Sequence, residues 1–272
     1  MRRLSQFLAA LSFVSLLSGG AGALPGSAPS WRQRLAEVPD PESSVSVGST
    51  TRGRLLNGRL LEESATLRYR SGSAALRWGT DELVGALERA AERVARRRPG
   101  AKLTVGDLSL SRGGRFRPHR SHRSGRDVDL AFYLQDEDRA PVYPQRFERI
   151  RADGTPRRDG EAFRFDDKRN WELVASLLTD PAIQVQHAFV SRGLERRLLA
   201  EGRRVGAAPD LVERARIVLS EPRRGGRHND HFHVRIYCDP GDRPACRDRP
   251  PIHDWLVEPT PALHAALRVP GA

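Results

Sequence analysis

The spacing of apolar residues divides this 272-residue chain into segments of different period. Thr80 is placed to cap a helix with Asp81 and Glu82 in its first turn, and Leu83, Leu87, Ala91 and Val94 recur behind it at helical spacing. Arg96 to Arg98 put basic charge where a helix C-terminus favours it, and Pro99-Gly100 stops the helix. Lys102 to Leu108 alternates like a strand and runs into a glycine-bearing loop, Ser111 to Gly114. Asp127 to Leu134 reads as a second strand, with Asp127 and Asp129 on one face and Val128 and Leu130 on the other. A helix around Trp171 to Leu178 follows, then a strand from Ile183 to Val190. Two helical segments near Leu194 and Leu211 precede a last strand, His231 to Tyr237. Strands and helices intermix without a regular βαβ repeat. The expectation is an α+β fold: a single domain with a central, largely antiparallel sheet flanked by helices.

The N-terminus follows another pattern. Arg2 and Arg3 precede an apolar run, Phe7 to Leu17, that ends in Ala21-Gly22-Ala23. This predicts a cleaved export signal over 1–23 and a periplasmic, exported mature chain. The run is too short for a permanent span, no other stretch is apolar enough to cross a bilayer, and no cysteine follows to carry a lipid. No stable membrane insertion is therefore expected once the signal is removed. Residues 24–45, rich in Pro, Ser and Ala, are expected to be a linker or N-terminal wrap, leaving 46–272 as the domain. The roughly 250 residues of the mature chain are enough for one core.

Charge changes this picture only modestly. A net charge of +12 would ordinarily suggest nucleic acid. Here Lys102 and Lys168 are the only lysines, and the arginines are spread along the chain without aromatic interleaving, so no nucleic-acid partner is expected. An anionic cell wall suits such a surface. Cys238 and Cys246 bracket a turn-forming stretch, Asp239 to Ala245, and a close, even pair in an exported chain reads as a disulfide. Strand alternation agrees, since His231 and His233 point one way and Cys238 the other.

Candidate chemistry lies in two windows, His119-x-x-His122 with Asp127-Val-Asp129, and His228-Asn-Asp-His231-Phe-His233, which hold five of the chain's eight histidines. Two imidazoles and a carboxylate suit zinc while leaving one position open for water. His122, Asp129 and His233 are the expected ligands, which requires their strands to be neighbours in one sheet. His231, two residues before His233 on the same face, is placed beside the metal as a general base or a polariser of the scissile carbonyl. His119 and His228 are expected to line the cleft and orient ligands or substrate.

These windows carry a resemblance. Val105 to Phe116, His119-x-x-His122, Gly125-x-Asp127-Val-Asp129 and His228-x-x-His231-x-His233-Val-Arg-x-x-Cys238 resemble the penicillin-insensitive murein endopeptidases. That family belongs to a wider group of zinc peptidases, including lysostaphin and the D-Ala-D-Ala peptidases, with an H-x6-D and H-x-H metal pattern. The likeness runs from about Val47 to Cys246. It implies zinc on His122, Asp129 and His233, with His231 as the catalytic histidine. It further implies peptidoglycan as partner and cleavage of its D-alanyl–meso-diaminopimelyl cross-links. Arg123 stands where the family usually has Gln, and cysteines found elsewhere in the family are missing. Alternatives are a D,D- or L,D-carboxypeptidase on the same scaffold, a secreted His-Asn-His nuclease, and a non-catalytic wall-binding module. Arg112, Arg115, Arg117, Arg120 and Arg126 crowd the loop before the second strand, either to grip stem-peptide carboxylates or as solvated loop charges.

Overall fold

The computed structural model describes residues 42–70, 72, 74–222 and 226–256; the expected export signal and nearly all of the expected linker lie outside these. In chain order, β1 (Val45–Ser49) and β2 (Arg52–Leu56) form a hairpin, followed by β3 (Arg59–Leu60), β4 (Leu67–Tyr69), β5 (Trp78–Gly79) and helix α1 (Asp81–Arg97). Next come β6 (Leu103–Val105), β7 (Asp127–Ala131), the short strands β8 (Leu134–Gln135), β9 (Pro141–Val142) and β10 (Arg164–Phe165), and α2 (Asp167–Leu178). The remaining elements are β11 (Val185–Phe189), α3 (Arg192–Arg204), α4 (Pro209–Val218), β12 (Leu219–Ser220) and β13 (His231–Ile236).

Among the described residues the main sheet has six strands in the order β12-β11-β13-β7-β6-β4. Its inner pairs are antiparallel and its two outermost pairs parallel, so the α+β expectation holds with mixed edges. Thr80 caps α1 as the sequence predicts, its hydroxyl accepting from the Leu83 N–H. Leu173, Val174 and Leu177 of α2 pack against Leu130, Phe232 and Val234, the apolar face of β7 and β13. Alternation then turns Asp127, Asp129, His231 and His233 to the other face. The helical layer thus supports the sheet from one side and leaves the opposite side for chemistry.

Two expectations change, and a hairpin the sequence pattern did not announce is present. The strand expected over Lys102 to Leu108 is only Leu103–Val105, and all three residues are buried, because β6 lies inside the sheet between β4 and β7. The strand expected from Asp127 to Leu134 breaks after Ala131. Asn170 of α2 takes the Tyr133 backbone there, accepting from its N–H at 3.0 Å and donating to its carbonyl at 2.8 Å, which sends β8 into a separate three-stranded sheet. The β1–β2 hairpin has no clear periodicity of its own. It is anchored from the far end of the chain: the Ser46 N–H donates to Asp242 at 2.8 Å, Gly48 N–H to the Ala245 carbonyl at 2.8 Å, and Arg247 N–H to the Gly48 carbonyl at 2.9 Å.

Cys238 and Cys246 are bonded, and their loop is the one that docks on β1. Arg126, fully buried, pairs with Asp248 at 2.8 Å and donates to the Ile236 carbonyl at 2.9 Å, tying the start of β7 to the end of β13. Among the described residues no helix is long and apolar enough to cross a membrane.

Candidate metal centre and active-site cleft

β7 and β13 are antiparallel neighbours, with Asp129 opposite His233 and Asp127 opposite Arg235. The sheet therefore satisfies the adjacency that the two histidine windows demand. His122 reaches the same place from the preceding loop, with a left-handed backbone (φ 62°) that is uncommon outside glycine. Its N–H donates to Asp127 Oδ2 at 3.1 Å and its Nδ1–H to the Leu108 carbonyl at 2.8 Å, so Nε2 faces the sheet with a free lone pair. On His233, Nε2 donates to Asp127 Oδ1 at 3.0 Å, which leaves Nδ1 as the free nitrogen.

Those two nitrogens meet Asp129. His233 Nδ1 lies 3.0 Å from Asp129 Oδ1 and 3.2 Å from His122 Nε2, and His122 Nε2 lies 3.3 Å from Asp129 Oδ1. Three acceptor atoms at the corners of so small a triangle repel unless a cation lies among them. A tetrahedral zinc with bonds of about 2.0–2.1 Å sets its donors about 3.3–3.4 Å apart, so the residues fit that ion. His119 joins an overlapping set, its ligand atom lying within 4.8 Å of those of His122 and Asp129. The set containing His233 is tighter, and each of its nitrogens is aimed by a hydrogen bond on the far side of the ring.

The electrostatics suit a cation. Burial opposes ionisation of Asp127 and Asp129, yet Arg235 and His233 around the first, and His122 and His233 around the second, outweigh it and hold both well below the usual carboxylate range. Burial disfavours charge on His233, but the Asp127 and Asp129 carboxylates on either side of the ring outweigh it and raise its pKa, so the position between Nδ1 and Asp129 favours a positive charge, whether metal ion or proton.

The other predicted residues surround this triangle. His231 donates from Nδ1 to Asp230 at 2.7 Å, holds Nε2 3.6 Å from Asp129 Oδ1, and stacks on Phe147 with ring centroids 4.6 Å apart. His119 Nε2 donates to Asp107 at 2.8 Å. His228 donates from Nδ1 to the Gly226 carbonyl at 2.8 Å, its ring 5.0 Å from that of His231. Burial first, then the neighbouring His231, depresses its pKa.

A cleft of about 560 Å³ opens over these groups, walled by Arg70, Phe147, Arg149, Arg157 and Arg227. Among the described residues none of the five loop arginines lines it. Arg126 is consumed by Asp248, while Arg112, Arg115, Arg117 and Arg120 are exposed elsewhere. Arg123 is also turned away, donating to the Thr51 carbonyl at 2.8 Å. Asp107, Asp230 and Phe147 escaped sequence reasoning. Asp230 adjoins His231 and could have been suspected from that, but nothing in the sequence marks Phe147.

A sequence profile of the penicillin-insensitive murein endopeptidases matches residues 46–255. The chain belongs to that family. Similar proteins include the penicillin-insensitive murein endopeptidase of Escherichia coli O157:H7, 25% identical over 274 residues covering 91% of this chain and 89% of that protein. The protein of the same description from Pectobacterium atrosepticum is 26% identical over 254 residues, covering 89% and 83%, and that from Salmonella paratyphi C is 25% identical over 244, covering 82% and 80%. The murein endopeptidase match takes in both histidine windows, all six strands of the main sheet and the disulfide loop. At this identity the chain's own geometry has to carry the roles of individual residues.

Proposed function

We propose that this chain is a zinc-dependent endopeptidase of the periplasm that hydrolyses D-alanyl–meso-diaminopimelyl cross-links in peptidoglycan. The observation that carries this reading is the triangle of His122 Nε2, Asp129 Oδ1 and His233 Nδ1, with edges of 3.0–3.3 Å, in a member of the murein endopeptidase family. Those three atoms would hold the ion. Zinc there supplies Lewis acidity, lowering the pKa of water to about 7 and polarising a carbonyl.

The chain's own residues handle the protons. Asp230 accepts from His231 Nδ1, so Nε2 is left as a base facing the cleft, and the same carboxylate stabilises the imidazolium once a proton is taken from the attacking water. That proton then passes from His231 to the leaving amine. His228, held by the Gly226 carbonyl, orients the substrate, as does His119, which Asp107 braces. Among the described residues no serine lines the cleft, so a β-lactam would find no hydroxyl to acylate.

The cleft does not end at the site. It continues past Arg157, Arg227 and Asn229 into an adjoining cavity of about 730 Å³, which favours an endopeptidase over a carboxypeptidase that closes on a chain end. His233 lies on strand β13, which removes the helix-borne histidine a His-Asn-His nuclease would need.

Digestion of purified sacculi with mass analysis of the released muropeptides tests the reading. Cross-linked dimers should fall to monomers, a chelator should stop this, and added zinc should restore it. Loss of terminal D-Ala alone would mean a carboxypeptidase. Binding without product would mean a wall-binding module.

A further inference from the structure

We propose that Arg149, Arg157 and Arg227 form a carboxylate-binding subsite that positions the anionic stem peptide across the cleft, an inference that rests on the peptidase reading above. Two separate loops bring these residues together, and the backbone fixes where they sit. Arg149 and Arg157 flank the antiparallel bridge between Ile150 and Pro156, and the Arg157 N–H donates to the Arg149 carbonyl at 2.7 Å. Ile150 is buried, and its N–H donates at 2.7 Å to the carbonyl of Asn229, two residues from Arg227. All three arginines line the catalytic cleft. Arg157 and Arg227 also line the cavity that continues it, where Arg192 joins them.

Their lack of partners separates these arginines from many others in the chain. Arg70 meets Asp107, Arg89 meets Asp180, Arg126 meets Asp248 and Arg197 meets Asp167. Arg149, Arg157 and Arg227 make no side-chain hydrogen bond or ion pair with any described residue. Arg149 acts on Asp230 only through space, and that carboxylate already accepts from His231. Like charges gathered in a concave wall raise the potential there and favour an anion. The planar guanidinium fork suits a carboxylate, which it grips through two parallel hydrogen bonds. A cross-linked stem peptide carries several free carboxylates and has its amino terminus tied up in an amide, so it is an anion of the right chemistry.

The test compares wild type with the Arg157→Gln/Arg227→Gln variant on two soluble probes. One is a cross-linked muropeptide dimer and the other the same dimer with its free carboxyls amidated. Both arginines are exposed, so the fold should persist, and zinc content checks that the centre does. Losing charge-assisted hydrogen bonds should raise the wild-type KM by roughly tenfold on the amidated dimer. The variant should show a similar rise on the free-acid dimer, mainly in KM, and should no longer discriminate between the two. A wild type that treats both dimers alike, or a variant that keeps the wild-type KM on the free acid, overturns the subsite. Failure of the peptidase reading looks different, because wild type would then cleave neither dimer. Calorimetric binding of the two dimers needs no turnover and reads the subsite in that case as well.

Discussion

Three groups end on the carboxylate of Asp127: the His122 N–H at 3.1 Å, His233 Nε2 at 3.0 Å and Arg235 Nε at 2.7 Å. One buried side chain thus aims the His233 imidazole and pins the backbone that carries His122. Asp127→Asn exchanges an acceptor for a donor and must abandon at least one of them. Zinc affinity, measured by competition with a chelator, should fall about 10–100-fold; an unchanged affinity would remove Asp127 from this aiming role. The proposed ligands and the proposed base can be separated in the same way. Alanine at His122, Asp129 or His233 should lose both zinc and muropeptide release. His231→Ala should keep its zinc and lose about 10²–10⁴-fold in rate, the usual size of a general acid–base contribution. Elemental analysis should therefore split the four variants three to one. If His231→Ala lost the metal while His233→Ala kept it, the two roles would be exchanged.

At the scale of elements, the end of β6 and the loop carrying Phe147 meet without room to spare. A Cβ on Gly106 would come 2.4 Å from Phe147 Cζ and 3.2 Å from the Asp129 carbonyl oxygen. Phe147 is the ring on which His231 stacks, so Gly106→Ala should displace His231, the proposed base, more than the proposed ligands. Overpacking of this kind costs about 1–3 kcal/mol, and turnover should fall further than zinc content. Equal retention of both would show that Phe147 gives way freely. The disulfide loop is a second such joint, since it holds β1 through Ser46, Gly48 and Arg247. Closing a loop with a sequence separation of 8 contributes about 2–3 kcal/mol in the chain-entropy picture. A Cys238→Ser/Cys246→Ser variant should lose about that much in denaturant unfolding while its zinc site persists at low temperature.

Across the whole molecule, acids pull stability in opposite directions as pH changes. Asp107, Asp127 and Asp129 have depressed pKa values, so the stability they contribute is present at neutral pH and is lost as pH falls through the acidic range. Asp242 runs the other way. Burial first, then nearby Glu82, pushes it up to about 8. The folded state therefore holds a proton that the unfolded chain releases near pH 4. Stability from this group is complete below that pH and drains away as pH rises toward about 8. Asp242→Asn keeps an acceptor for the Ser46 N–H and removes the titration. Between pH 5 and 9 the wild-type melting temperature should fall relative to the variant. Even one pKa unit, about 1.4 kcal/mol, corresponds to about 3–6 °C for a domain of this size. Parallel pH profiles would show that Asp242 is already ionised at pH 5.

Local regularities were legible in the sequence. They include the Thr80 cap and apolar stripe of α1, the disulfide pair, the opposite faces of Asp127–Asp129 and Val128–Leu130, and the two windows whose donor types suit a metal. Each depends on residues a few positions apart, where helix and strand periods act directly. Tertiary structure decided what those periods cannot reach. His122 acquires its aim from Leu108, 14 residues away, and meets His233 across 111. Asn170 ends the strand that alternation alone would have carried to Leu134. The arginines facing the cleft are Arg149, Arg157 and Arg227 rather than those beside the first window, because Arg126 is spent on Asp248 and a bridge between distant loops places the others. A residue's type and local period say which face of its own element it occupies. Which groups meet it there is set by hydrogen bonds and packing between elements far apart in the chain.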